Sequence, residues 1–224
     1  MKILAIDTAT ERCSVALRID GQVLVRSMDT ARGHADNVLP MLDEILREAG
    51  VTLSELDGIA YGRGPGAFTG VRIAVGVVQG LAFGAQLLTV GISNLAAVAQ
   101  QTAKPAERVL VCMDARMGEV YWAVFECDPR SGLVVALGAE QVGRPDTVDP
   151  GSGILNTLAG TGFGAHPQLA AAFSQVPVHG DLLPRAQEIA LLGEAELVAG
   201  HGKPAAEAQP VYLRDQVAVA KRPS

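Results

Sequence analysis

No charged side chain and no histidine occurs from Ile73 to Ala103, and so long an uncharged run has to lie inside a protein or inside a membrane. Its 31 residues are enough to cross a bilayer as a helix. Four glycines and several amide side chains interrupt the run, and the β-like segment 87–90 lies in its middle. We therefore interpret the run as a helix, a strand and a helix that are buried in a soluble, cytoplasmic protein.

Composition limits the class of protein further. Of the 224 residues, 49% are hydrophobic and 19% are charged, which excludes a disordered or collagen-like chain. Lysine and arginine number 18 against 24 aspartates and glutamates, and the net charge of −6 argues against nucleic-acid binding by this chain alone. Three cysteines, Cys13, Cys112 and Cys127, are far apart in sequence and predict buried, reduced thiols.

The first hundred residues predict a β-hairpin meander that continues into a βαβα unit. Asp20-Gly21 is typical of a type I′ turn between two antiparallel strands. A helix with Pro40 in its first turn is expected to end at Gly50. The predicted strands are 2–7, 14–19, 22–28, 58–62 and 87–90, and the predicted helices are 36–49, 71–85 and 93–103, with a glycine loop at 64–70.

A boundary at 104–107 separates a predicted N-terminal lobe, 1–105, from a smaller C-terminal lobe, 106–224, whose tail packs back on the first. The C-terminal lobe is expected to contain a hairpin at 108–113 and 119–127, a strand at 133–142 and a helix at 186–198. The region 143–184 is rich in glycine and proline, and its string Gly160–Gly164 is placed on a loop.

Two segments are candidates for phosphate chemistry. Asp7, Thr8 and Thr10 follow the first strand, where a carboxylate and hydroxyls can hold a phosphate-bound Mg²⁺ or satisfy the backbone of a turn. In the loop 64–70, Gly64 and Gly66 permit a close backbone approach before a helix, although no Lys-Ser/Thr pair follows as in a P-loop.

The helix after that loop carries Gly76, Gly80 and Gly84 at intervals of four, which places them on one face, and we call them the glycine stripe. Each glycine costs roughly 0.5–1 kcal/mol relative to alanine inside a helix. The stripe predicts close approach of another backbone, either from the chain's own core or from a second subunit.

Familiar catalytic motifs are absent from the sequence. The four histidines include no pair four residues apart, and no zinc cluster or Gly-x-Ser-x-Gly elbow occurs. No local motif therefore indicates a nucleophile or a metal.

Several strings occur together in this chain: Ile3 to Thr10 with Ser14 to Leu17, Gly33-His34 and Leu39-Pro40, the run Gly64 to Ile73, and the closing run Pro210 to Arg214. Together they resemble the TsaB (YeaZ) family of bacterial tRNA threonylcarbamoyladenosine biosynthesis proteins. The resemblance is dense over residues 1–105 and thin beyond them.

The resemblance implies an α/β fold of the actin-like ATPase (ASKHA) type, with two βββαβα lobes, mixed sheets and a reduced second lobe. It also implies a non-catalytic subunit that binds its paralogue, the TsaD transferase, and that is joined by the ATPase TsaE. The subunit is expected to form a homodimer when alone, to reach tRNA only through the complex, and to bind no cofactor, metal or membrane.

In that family the two helices that correspond to 36–49 and 71–85 contact TsaD. The resemblance therefore implies a partner interface made of His34, Val38, Leu42, Ile45, Ile73, Gly76, Val77, Gly80, Leu81 and Gly84.

The sequence departs from two motifs of related proteins. The paralogue's metal motif, two histidines four residues apart, is missing, which disfavours both transferase and metallopeptidase chemistry here. Actin-like ATPases have a glycine soon after the first aspartate, where this chain has Thr8-Ala9-Thr10. An alternative remains a small ATPase or kinase of the same fold that uses Asp7, Thr8, Thr10, Gly64 and Gly66 on phosphates.

Overall fold

The computed structural model describes residues 1–30 and 32–214, so the last ten residues of the predicted C-terminal lobe lie outside the described residues. A five-stranded mixed sheet forms from the first hundred residues. Its order is β3-β2-β1-β4-β5, with β1 to β3 antiparallel and β4 and β5 parallel to β1. The strands are β1 Lys2–Asp7, β2 Arg12–Ile19, β3 Gln22–Asp29, β4 Gly58–Gly62 and β5 Thr89–Ile92.

The second sheet has six strands, five of them in its main path, and it branches at the strand that follows Arg108–Arg116. Its order is β11-β10-β6-β7-β8, and β9 also pairs with β7. The strands are β6 Arg108–Arg116, β7 Glu119–Cys127, β8 Val134–Ala136, β9 Gln141–Gly143, β10 Thr157–Ala159 and β11 Val178–His179. Two mixed sheets therefore confirm the predicted α/β class.

Six α-helices and three short 3₁₀ turns connect the strands of the described chain. The helices are α1 His34–Ala49, α2 Phe68–Ala85, α3 Asn94–Gln100, α4 Gly162–Ala165, α5 Pro167–Ala172 and α6 Ala186–Val198, and the 3₁₀ turns are Leu53–Glu55, Pro145–Thr147 and Ala205–Glu207.

Alternation along β1 explains how the layers assemble. Leu4 and Ile6 face a core that also receives the buried residues of α1 and α2, whereas Ile3 and Ala5 face a core shared with α3, α6 and the second sheet. Helix α6 packs on the first sheet, α3 packs on the second, and the two helices contact each other. The two sheets are thus joined through one apolar interior, while α4 contacts the other side of the second sheet.

Several predicted boundaries differ from the structure for local reasons. Helix α1 begins at His34 rather than 36, which puts Pro40 in its second turn. Helix α2 begins at Phe68 rather than 71, so its first turn includes the end of the glycine loop. Gln86 ends α2 with a positive φ of 56°, and the chain needs Leu87 and Leu88 to reach the sheet, which moves β5 to Thr89–Ile92.

The predicted strand 133–142 is wrong as one unit, because β8 and β9 both pair with β7 and leave 137–140 outside the ladder. The region 143–184, which is rich in glycine and proline, contains regular structure. It contains β10, which pairs in parallel with β6, and α4 includes Gly162 to Gly164 of the string that sequence placed on a loop.

The uncharged run forms most of α2, then β5 and α3, as predicted. Helix α2 has the length and composition that could cross a membrane, and 33% of that window is buried inside the protein. The helix packs on β4, β1 and the 3₁₀ turn Ala205–Glu207. All three cysteines are buried, as expected.

The contact between α6 and β4 depends on a glycine. A Cβ placed on Gly193 would overlap the side chain of Ala60, because the helix lies directly against the strand. Gly193→Ala should therefore push α6 away and lower the free energy of unfolding by about 1–3 kcal/mol, measured by urea denaturation.

Gly76→Ala supplies the matched control, because a Cβ on Gly76 meets nothing within 4 Å. That substitution should raise the free energy of unfolding by about 0.5–1 kcal/mol through helix propensity. Equal effects of the two substitutions would contradict this account of the α6 packing.

Candidate functional site

The turn after β1 and the glycine loop, which sequence marked as two phosphate-binding candidates, pack directly on each other. The Ala67 amide donates to the Ala9 carbonyl at 2.7 Å, and the Thr8 hydroxyl donates to the Gly70 carbonyl at 2.7 Å. A Cβ on Gly66 would lie 2.5 Å from the Ala9 oxygen. The glycines therefore allow backbone to meet backbone, and little space for a phosphate remains between the two segments.

Asp7 lies beneath this contact and not in an open site. Its side chain is fully buried, and its Oδ1 accepts a hydrogen bond of 2.6 Å from Asn94 Nδ2. The Asn94 side-chain oxygen Oδ1 in turn accepts a hydrogen bond from the Gly64 backbone amide at 2.8 Å. The backbone amide of Asn94 donates to the Gly64 carbonyl at 3.0 Å. The Asp7 Oδ1, the Thr8 hydroxyl and the Gly64 amide are thus used inside the fold, whereas Asp7 Oδ2 is buried without a hydrogen-bond partner among the described residues. Contact of these three residues with a phosphate stays a prediction.

A cleft of about 980 Å³ opens beside the turn–loop contact, and of the predicted phosphate-binding residues Thr8, Thr10 and Gly66 line it. The cleft lies between the start of α1, the glycine loop, the end of β6 and the segment 211–214. Thr10 Oγ1 accepts from the Arg12 amide at 3.3 Å, which is the turn-stabilising role that sequence left open.

Asp114, near the end of β6, brings a carboxylate to the same cleft. Its Oδ1 lies 4.0 Å from His166 Nε2, a buried atom without a hydrogen-bond partner in the described structure. Sequence reasoning missed both residues, because only the pairing of β6 with β10 brings α4 and its following His166 to the end of β6. Among residues 1–30 and 32–214, no group of three histidine, cysteine or acidic side chains could hold a metal ion.

The predicted partner residues on α1 divide into buried and accessible ones. Val38, Leu42 and Ile45 are 0%, 3% and 0% exposed and face the chain's own core, so the prediction that they touch a partner is wrong. His34 is half-buried, and its Nε2 donates to the Thr10 carbonyl at 2.8 Å, which ties the start of α1 to the turn. Leu39, which was not in the predicted set, is 50% exposed.

The glycine stripe faces solvent. A Cβ on Gly76, Gly80 or Gly84 would meet nothing within 4 Å, so the stripe does not serve packing inside this chain. Ile73, Val77 and Leu81 are half-buried on the flank of the same helix, and Phe83 is 81% exposed. Helix α2 therefore presents an apolar face with a flat strip of backbone, which fits a helix of another subunit.

Burial raises the pKa of Asp7 to about 7, against the lowering effect of its hydrogen bond from Asn94. The folded protein therefore holds a proton that the unfolded chain, with a pKa near 3.8, releases as the pH rises. The free energy of unfolding should fall between these two pKa values and level off above pH 7.

Asp7→Asn keeps an acceptor for Asn94 and removes this titration. Relative to the wild type, the variant should gain stability as the pH rises from about 4 to 8, by up to about 4 kcal/mol. Urea denaturation across that range measures the gain, with the exposed Asp181→Asn as the control. A stability difference that does not change with pH would show that Asp7 is ionised throughout.

Comparisons with known proteins agree with one another. The model of the family described as TsaD, tRNA N6-adenosine threonylcarbamoyltransferase, matches residues 28–221. The tRNA threonylcarbamoyladenosine biosynthesis protein TsaB of Escherichia coli (strain K12) is 42% identical over 229 residues, which cover 100% of this chain and 99% of that protein. The TsaB of Haemophilus influenzae is 38% identical over 235 residues, which cover 100% and 98%.

A solved structure, YeaZ from Pseudomonas aeruginosa, superposes with a TM-score of 0.85 at 42% identity. The match covers 95% of this chain and 99% of that one.

Proposed function

Because the chain belongs to the TsaB (YeaZ) family of tRNA threonylcarbamoyladenosine biosynthesis proteins and has the actin-like fold of that family, we propose a role for it as a subunit of a complex. In this proposal the chain is non-catalytic and cytoplasmic. It binds the TsaD transferase and holds it in its active arrangement. In the same proposal TsaE joins the pair, tRNA is reached only through the complex, and the chain forms a homodimer when TsaD is absent.

The exposed glycine stripe is the observation that carries this proposal. Three glycines on an exposed face weaken α2 by roughly 0.5–1 kcal/mol each, and nothing in the chain's own packing requires them. A face that is uncharged after Arg72 and flat at the stripe is suited to close helix packing against a second subunit. This chain itself matches the TsaD family model, so a TsaD subunit would offer helices of the same kind.

Rigid connections between the two sheets support a scaffold role. Beyond the shared core, Arg63, which follows β4, makes a bidentate salt bridge with Glu140. Its Nη2 and Nη1 donate to the Glu140 carboxylate oxygens at 2.8 and 3.1 Å. Arg214 pairs with Glu119 of β7, and Gln79 of α2 donates to the Ala208 carbonyl at 2.8 Å. The Gln79 bond holds α2 against the segment after Ala205–Glu207, and the two ion pairs join the end of β4 and residue 214 to the second sheet. Such contacts suit a subunit that positions another protein.

Gly80→Arg tests the interface directly. The bulky side chain would stand on the stripe, so TsaD binding and self-association should both weaken by at least 100-fold. Stability should not fall, because arginine is a better helix former than glycine and the site is open. Light scattering of the protein alone and mixed with the TsaD of the same organism measures the association.

Gly138→Arg is the matched control, since Gly138 is also exposed with open space around it but lies between β8 and β9. If Gly80→Arg associates as well as Gly138→Arg, the interface proposal is wrong.

The alternative, a small ATPase or kinase, has the cleft in its favour. The packing of the 8–10 turn against the loop opposes it, because the Thr8 hydroxyl and the Ala67 amide are already hydrogen-bonded inside the fold. We expect calorimetry with Mg-ATP to show no micromolar binding. A micromolar affinity that Thr10→Ala abolishes, with Thr30→Ala as the control, would favour the alternative.

A further inference from the structure

Arg72 forms an ordered cluster with two aromatic rings at the start of α2. Its guanidinium carbon lies 3.3 Å from the centre of the Phe68 ring and 5.3 Å from that of Tyr212, and the two ring centres are 5.5 Å apart. Phe68 and Tyr212 are 44% and 43% exposed. We call these three side chains the Arg72 cluster.

The cluster is built from two distant segments that the fold fixes. Phe68 and Arg72 belong to one turn of α2, whereas Tyr212 arrives on the segment after Ala205–Glu207. The neighbouring Val211 amide donates to the Arg63 carbonyl at 2.8 Å, which anchors that segment at the end of β4. The stacked guanidinium is therefore held in place before any partner binds.

Arg72 lacks the ion pair that most arginines of this chain make. Within residues 1–30 and 32–214, no carboxylate lies within 4.0 Å of its nitrogens and its guanidinium donates no hydrogen bond, whereas Arg12 and Arg63 each make two bonds to a carboxylate. Stacking uses the faces of the guanidinium plane and leaves the N–H groups at its edge available. Those N–H groups match the two oxygens of a carboxylate.

The position of Arg72 connects the cluster to the glycine stripe. Arg72, Gly76 and Gly80 follow one another at intervals of four and share a face of α2. No charge follows Arg72 on that helix, so it is the single charge beside an otherwise apolar contact surface. A subunit that covered the stripe would remove water from Arg72, and an unpaired guanidinium is costly to bury.

We propose that the Arg72 cluster is the polar anchor of the subunit interface and receives an aspartate or glutamate carboxylate of the transferase subunit. This inference rests on the proposed function and adds to it the chemistry that the partner must present. Arginine and tyrosine are the residue types that most often dominate binding energy at interfaces, and a preordered side chain loses little freedom on binding.

An RNA phosphate would also fit a stacked arginine, and the surroundings favour the carboxylate. Asp36 is exposed on α1, the helix next to α2, and the chain carries a net charge of −6. This negative charge would repel an RNA backbone, which carries many phosphates, more than a single carboxylate on an apolar surface. The apolar stripe adjoining the cluster is suited to a protein surface.

Charge reversal tests the anchor. Arg72→Glu should weaken binding of the TsaD subunit at least 30-fold. Arg72→Lys should recover only part of that loss, because lysine cannot form a bidentate salt bridge with a carboxylate. Arg130→Glu, the same change on an exposed turn between β7 and β8, should bind like the wild type. Thermal unfolding of each variant shows whether the fold is kept.

A charge swap identifies the partner group. Each exposed aspartate or glutamate on the helices of the TsaD subunit is changed to lysine in turn, and one such change should restore binding of Arg72→Glu while weakening binding of the wild type. If Arg72→Glu binds TsaD as Arg130→Glu does, the inference is wrong. It is also wrong if Arg72→Glu leaves subunit binding intact and lowers only the affinity of the complex for tRNA.

The Gly80→Arg result separates this inference from the proposed function. Loss of binding in Gly80→Arg with unchanged binding in Arg72→Glu overturns the anchor alone. Unchanged binding in both variants overturns the proposed interface as well.

Discussion

The backbone contact between the turn after β1 and the first turn of α2 determines the rest of this molecule. Gly66 and Gly70 let the loop and helix approach the carbonyls of Ala9 and Thr8 so closely that a side chain at either position would overlap them. This contact fixes where α2 begins and which way it rotates. One face of the helix then packs on β1 and β4, and the glycine stripe is left on the outer face.

The same contact supports the proposal that this chain is a binding subunit, although its fold is associated with nucleotide chemistry. Asp7 occupies the end of β1, where a carboxylate could face a phosphate, but it is enclosed with Asn94 beneath the Gly64 backbone. Its burial raises its pKa to about 7 and costs stability at neutral pH. The protein therefore maintains a buried acid at a position where it supports the loop that positions α2.

Turn motifs and residue spacing in the sequence correctly predicted the elements that depend on neighbouring residues alone. The Asp20-Gly21 turn, the strands on either side of it and the end of α1 at Gly50 follow from propensity and spacing, and the structure has them. Strands β10 and β11 escaped prediction because they contain three and two residues and exist only through pairing in parallel with neighbouring strands. Periodicity placed the three glycines on one face but could not say whether that face points inward, and Val38, Leu42 and Ile45 show the opposite outcome on α1. The Arg72 cluster depends on Tyr212, which follows Arg72 by 140 residues in the sequence, and no local pattern records such a contact.

Helix α6 has a consequence for how the protein is made in a cell. It covers the inner face of β1, β2 and β4, and the buried Ser14 hydroxyl of β2 accepts the Ala186 amide at its first turn, at 3.0 Å. A ribosome releases the first sheet long before residues 186–198 emerge. Until then Ile3, Ala5 and Ala60 lack α6 on that face, and the nascent first sheet exposes apolar surface to water. Synthesis of α6 closes that surface, so the packing of the first sheet is completed only late in synthesis.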